Sequence, residues 1–159
     1  KRQLIDSPIE QSYPHPLMRL LASPPLGKVL VRSILFNAKS VEFALKRSYY
    51  NDKLVTKEVI TGYFYPMRTK GADEAFLAMS RSYIITEVKD GLQYLYLPAL
   101  IIWGEKDGLV PVDRGHFLHG QIRKSKLIII PECGHSPMEE KPARINDLIE
   151  RFATGKALE

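Results

Sequence analysis

Along the first half of the chain the apolar positions recur at three-and-four spacing, whereas two runs in the second half are apolar without interruption. Leu17, Leu20 and Leu21, then Leu26, Val29, Leu30 and Ile34 beyond the Pro24-Pro25 break, form one face of two short helices. Val41, Leu45 and Tyr49 mark a third helix with Ser40 as its N-cap. Thr56 caps a fourth, which carries Val59, Ile60, Tyr63 and Phe64 and stops at Pro66. Gly71-Ala72-Asp73 opens a further helix with Phe76, Met79, Tyr83 and Ile84 on one face, and Gly91 ends the pattern. In the second half, Ala99 to Trp103 and Leu127 to Ile130 read as strands buried on both faces, hence members of a parallel sheet. Phe117, Leu118 and Ile122 mark the crossover helix that a parallel connection requires. Ile145, Leu148, Ile149 and Phe152 fall on one face of a last helix behind Pro142. The pattern therefore predicts an α/β fold, helical first and with parallel strands afterwards. The terminal Ala157-Leu158-Glu159 reads as a scar outside the fold.

Each strand empties into a loop that carries one candidate for chemistry. The first loop is Gly104-Glu105-Lys106-Asp107-Gly108-Leu109-Val110-Pro111, the second Glu132-Cys133-Gly134-His135-Ser136-Pro137. Functional residues of a parallel α/β sheet gather beyond the carboxyl ends of its strands. If the two strands are neighbours, the Asp107 carboxylate can hold one imidazole nitrogen of His135 and leave the other free to take a proton from a nucleophile. Asp107 would orient and stabilise; His135 would act as general base and then as acid. Gly104 and Gly108 are expected to permit the tight turn around the acid, and Gly134 a close backbone approach. The plainer alternative makes Asp107 a loop cap and His135 a structural polar residue. Two rivals for the acid are Asp6, after Leu4-Ile5, and Glu105. Val110, Ser136 and Met138 flank the two loops and are candidate substrate contacts. No Gly-x-Ser-x-Gly stands in the chain.

These loops resemble those of the α/β-hydrolase fold family. Gly104-x-x-Asp107-x-x-x-Pro111 is similar to the family's acid loop. Gly134-His135, with Pro137 and Glu139-Glu140-Lys141-Pro142, is similar to its histidine loop and final helix. Leu4-Ile5-Asp6-Ser7-Pro8 resembles the strand that follows the nucleophile helix, and Thr56 to Arg81, with Tyr65-Pro66-Met67-Arg68, resembles a helical cap. The resemblance covers nearly the whole chain and implies a partial α/β-hydrolase fold, its C-terminal portion. Residues 1–8 would be a core strand remnant, 9–96 the cap and 97–159 the last part of the core. It implies a parent that is a serine carboxylic-ester hydrolase with a Ser-His-Asp triad, of which Asp107 and His135 lie here. The cap would close over the nucleophile and set specificity. Without nucleophile elbow or oxyanion loop, the chain alone is expected to be inactive. A non-catalytic ligand-binding or scaffold member stays open, as does a dehalogenase, epoxide hydrolase, carbon–carbon hydrolase or lyase of the same fold.

Composition narrows the partners. The 159 residues, 45% hydrophobic and 26% charged, suit a soluble globular protein. Arg19, Pro24, Pro25, Lys28 and Arg32 interrupt the greasiest region, so no membrane span is expected. The net charge of +5 lies mainly in residues 9–96, scattered singly as on a solvated helical surface, and predicts no nucleic-acid partner. Cys133, the one cysteine, excludes an internal disulfide, fits a reducing cytoplasm and reads as a buried thiol. His116 and His119 share a helix face without a third ligand, and His15 sits between Pro14 and Pro16, so no metal or cofactor is expected. Tyr49, Tyr50, Tyr63, Phe64 and Tyr65 read as helix-packing core. The expected partners are a small apolar ester-like substrate and, at an exposed sheet edge, either the missing N-terminal half of the fold or a second copy.

Overall fold

The computed structural model of the protein describes residues 26–81 and 89–158. The expected strand at Leu4-Ile5, the helix at Leu17–Leu21, Asp6, His15 and the Tyr83-Ile84 end of the fifth helix lie outside the described residues. α1 (Leu26–Leu30) runs into a π-helical turn, Val31–Leu35, followed by α2 (Ala38–Ser48), a 3₁₀ turn at Asp52–Leu54, α3 (Lys57–Met67) and α4 (Ala72–Arg81). Two boundaries differ from expectation. The N-cap of α2 is Asn37, not Ser40: extended at φ −139° and ψ 156°, its side chain accepts the Ser40 N–H. An amide oxygen reaches that donor from three residues upstream, which a helical Ser40 cannot do for its own turn. Thr56 caps α3 as expected, through the Val59 N–H, but the helix continues past Pro66 to Met67. So close to the end, the ring forfeits a single hydrogen bond.

Val41 and Leu45 of α2 and its C-cap Tyr49 are buried against Leu54, Val55, Val59, Ile60, Phe64 and Met67, so α2 and α3 share one apolar seam. The corner between the π-helical turn and α4 is held by Arg32, whose Nε and Nη2 donate to the buried Asp73 carboxylate at 2.7 and 3.3 Å. Phe36 meets Phe76 edge to face, 5.6 Å between centroids, in the same corner. The guanidinium holds the Asp73 carboxyl well below the usual carboxylate range, chiefly by hydrogen bonding.

After α5 (Lys89–Leu92) and an exposed stretch through Leu97, the chain makes β1 (Ala99–Gly104), α6 (Asp113–Gln121), β2 (Ser125–Ile130), α7 (Pro137–Glu140) and α8 (Pro142–Ala153). β1 and β2 are parallel neighbours, in register from Ala99 opposite Ser125 to Gly104 opposite Ile130. Alternation explains why both runs are apolar throughout. Leu100, Ile102, Ile128 and Ile130 pack with Cys133, Ile145 and Leu148 on the α8 side, and Ala99, Ile101, Trp103 and Leu127 pack with Leu92, Leu118 and Ile122 on the other. Each face needs its own apolar set. Leu158 corrects the view of the terminus: it packs against the α8 cluster, and the Ala157 carbonyl accepts from Arg151. Because both strands end level, their following loops emerge side by side.

Candidate functional site

The loop after β1 wraps around a carboxylate. Asp107 Oδ1 accepts the N–H groups of Leu109 at 2.9 Å and Val110 at 2.8 Å, so the acid closes its own turn. Trp103 Nε1 donates to the Val110 carbonyl at 3.2 Å, clamping the far end of that turn to the strand that leads into it. Val110 is therefore part of the frame around the acid. The loop after β2 turns through Glu132, which is left-handed at φ 49°, and delivers Cys133, Gly134 and His135. Two backbone bonds weld the loops together: Glu105 N–H to the Ile130 carbonyl and Lys106 N–H to the Cys133 carbonyl, both 2.9 Å.

That arrangement sets Asp107 Oδ2 2.8 Å from His135 Nδ1. The Asp107 side chain is 4% exposed and that of His135 42%. The carboxylate is thus sealed beneath the imidazole, whose opposite edge faces outward, with no hydrogen-bond partner for Nε2 among the described residues. With Nδ1 committed to the acid, Nε2 is the nitrogen free to exchange a proton. Of the rivals, the Glu105 carboxylate pairs with Lys106 Nζ at 3.6 Å, and Asp6 lies outside the described residues.

The glycines act through space, not through turn geometry as expected for two of them. A Cβ on Gly104 would lie 1.9 Å from the Gly134 carbonyl oxygen, and one on Gly108 2.7 Å from that of Arg47. Neither has a left-handed φ; both admit a neighbouring backbone. For Gly134 the expectation of close approach holds, since its Cβ would fall 2.2 Å from the Ser48 carbonyl oxygen. The end of α2 thus lies directly on the histidine loop, and the His135 N–H donates to the Ser48 carbonyl at 2.7 Å.

Ser136 and Met138 are placed differently. The Ser136 hydroxyl lies 3.2 Å from that of Ser48, turned toward α2, whereas Met138 is 58% exposed on α7. Glu139 receives the phenol hydroxyls of both Tyr49 and Tyr63, tying α2 and α3 to α7. Burial and that carboxylate push both phenols upward in pKa, burial dominating at Tyr49 and the hydrogen bond at Tyr63. Of the aromatic group expected as core, Tyr49 is buried and Phe64 packs against it, while Tyr50, Tyr63 and Tyr65 are exposed. Burial pushes the Cys133 thiol up to about 11, which keeps it protonated and unreactive near neutrality. His119 Nδ1 lies 2.8 Å from the Ser125 hydroxyl.

Two cavities border this region without containing the Asp107–His135 pair. One, of about 600 Å³, is lined by Tyr50, Asn51, Lys53, Glu132, Glu140 and Lys141 among others. The second, of about 610 Å³, runs between α3 and Glu139 and is lined by Val59, Tyr63, Pro66 and Met67. Sequence reading missed Ser48, the Glu139 phenol pair and the contacts of Glu140. Apart from Gly134, six positions from Glu140, their partners lie 76 positions or more away in the chain, where no local pattern registers them.

The family model described as alpha/beta hydrolase fold matches residues 26–142. The uncharacterized hydrolase YugF of Bacillus subtilis (strain 168) is 33% identical over 106 residues, 65% of this chain and 38% of that protein. Monoacylglycerol lipase abhd6-A of Xenopus laevis is 28% identical over 79 residues, 50% of this chain and 23% of the lipase. Among solved structures, a mutant of the meta-cleavage product hydrolase CumD from Pseudomonas fluorescens IP01, complexed with acetates, superposes with a TM-score of 0.68 at 24% identity. That match covers 75% of this chain and 46% of the other. The chain thus spans less than half the length of each of these relatives.

Proposed function

This chain belongs to the α/β-hydrolase fold family, and from that premise we propose that it supplies the acid and the base of a serine hydrolase acting on carboxylic esters. The serine would come from protein outside these 159 residues, which contain no Gly-x-Ser-x-Gly. In acylation the serine oxygen bonds to the ester carbonyl carbon while its proton passes to His135 Nε2. Collapse of the tetrahedral intermediate breaks the ester C–O bond, and the leaving alkoxide takes that proton. Water, deprotonated by the same nitrogen, then bonds to the acyl carbon; the bond to the serine oxygen breaks, that oxygen recovers the proton from Nε2, and the carboxylic acid departs. Asp107 holds the tautomer and stabilises the imidazolium throughout.

The observation that carries this proposal is the 2.8 Å contact between Asp107 and His135 at the ends of adjacent parallel strands, acid buried and imidazole open. The relative named a monoacylglycerol lipase supports an ester with an apolar acyl part as substrate. On the same proposal, residues 9–96 form a cap whose α2 end rests on the histidine loop, and residues 97–159 form the core. Met138, exposed beside His135, is the best placed of the three candidate contacts to meet substrate. Val110 and Ser136 would shape the site through the loops they hold.

A short chromogenic ester tests it. In the intact protein that joins this chain to the nucleophile-bearing half, His135→Ala should lower kcat by about 10³-fold or more. Unchanged turnover would overturn the proposal. The 159-residue chain alone should show no turnover, since it lacks the attacking group and its oxyanion donors.

A further inference from the structure

Glu140 is a buried carboxylate, and each of its oxygens serves a different stretch of backbone. Oε1 accepts the Gly134 N–H at 2.7 Å, one residue before the imidazole. Oε2 accepts the Tyr50 N–H at 2.8 Å and lies 3.4 Å from the Asn51 nitrogen, in the segment that leaves α2. The same segment reaches His135 from the other side, because the Ser48 carbonyl takes the His135 N–H at 2.7 Å. Two consecutive amides of the histidine loop are therefore fixed to one strip of chain, residues 48–51, one directly and one through Glu140. The backbone is pressed so close that a Cβ on Gly134 would stand 2.9 Å from Oε1 and 2.7 Å from the Tyr50 nitrogen.

We infer that Glu140 is the positioning residue for His135: its carboxylate fixes the loop so that Nδ1 stays on Asp107 and Nε2 stays aimed outward. The inference rests on the catalytic reading of the Asp107–His135 pair and adds to it the group that holds the base in register. The chemistry calls for a carboxylate. A glutamine at this place has one acceptor oxygen, so either Gly134 or the Tyr50 side must face an NH₂ instead. Bonds to an ionised acceptor are also the stronger kind. Losing one end releases the loop by fractions of an ångström, and misplacement on that scale is costly to proton transfer, while substrate binding elsewhere is untouched.

Glu140→Gln in the intact protein tests this. The expected result is a kcat lower by about 10–100-fold with KM unchanged, together with an upfield shift or broadening of the proton resonance on His135 Nδ1. A merely structural role would reduce the amount of folded protein and leave both readouts of the folded fraction where they were, which would overturn the inference. His135→Ala, run in parallel, separates the two levels. Loss of activity there with none in Glu140→Gln rejects positioning alone, whereas retained activity in His135→Ala rejects the catalytic reading beneath it. Should Glu140→Gln fail to fold, hydrogen exchange in the unaltered protein decides: Gly134, His135 and Tyr50 amides should open as one unit, and independent opening would overturn the inference.

Discussion

Asp107 divides its carboxylate between two tasks, with Oδ2 2.8 Å from His135 Nδ1 and Oδ1 holding the N–H groups of Leu109 and Val110. The division makes Asp107→Asn informative. The amide oxygen can keep the turn closed, while its NH₂ faces Nδ1 and selects the wrong imidazole tautomer. The intact protein carrying this change should lose about 10⁴-fold in kcat with its unfolding midpoint little altered. Steady-state ester hydrolysis alongside urea denaturation checks both halves, and a large loss of stability with kcat preserved per folded molecule would contradict the assignment.

Gly104 lies where the two loops cross. Gly104→Ala would force a Cβ to within 1.9 Å of the Gly134 carbonyl oxygen and 2.5 Å of that of Cys133. Both neighbours are backbone and cannot rotate away, so the loops must part. A destabilisation of about 2 kcal/mol or more is expected from such overpacking, with the Nδ1 proton resonance of His135 perturbed as the Asp107 contact lengthens. Denaturant titration measures the first effect and NMR the second. Gly120→Ala, where an added Cβ meets nothing within 4 Å, is the matched control.

The two strands, the crossover helix and the amphipathic last helix were legible because each is written in a local apolar pattern, and the Asp107–His135 contact, across 28 positions, because both residues stand at strand ends. Continuous apolar runs identify strands covered twice, and the strand-end rule brings their loops together. What was not legible depends on distant neighbours. The spatial need for Gly104 arises from Gly134, thirty positions on, and the role of Ser48 arises from His135. Asn37 displaced Ser40 as N-cap because capping is decided by which side chain reaches a free N–H, and two capable residues stood within one turn. Ala157-Leu158-Glu159 carries no pattern of its own, yet the apolar cluster under α8 takes in the Leu158 side chain.

Acid should loosen the helical half at the Arg32–Asp73 corner. The Asp73 carboxyl titrates below its ordinary value in the folded chain, so the ion pair contributes stability above the unfolded-state pKa of about 3.9 and loses it as pH falls through the lower folded value. Stability should therefore be flat in this contribution at neutral pH and decline below about pH 4. Asp73→Asn should remove that part of the decline and lower stability at pH 7, read from denaturant midpoints across the acid range. An unchanged acid limb would show that the pair carries no linkage.

Tyr94, Leu95, Tyr96 and Leu97 are 63, 45, 63 and 79% exposed in a continuous run, and they lead directly into β1. Among the described residues β1 pairs on one side alone, with β2, so an apolar stretch adjoins an open strand edge. Both features favour association: apolar surface of this extent is seldom left in water, and unpaired edge groups accept a further strand. The 159-residue chain by itself should thus self-associate, its mass by light scattering rising with concentration. Charge on the run, as in Tyr96→Lys with Leu97→Lys, should reduce that rise. On the function proposed above, addition of a nucleophile-bearing half should suppress it by forming a one-to-one complex. A monomer of constant mass at every concentration, with the run still exposed to limited proteolysis, would mean that the edge and its apolar flank need no partner.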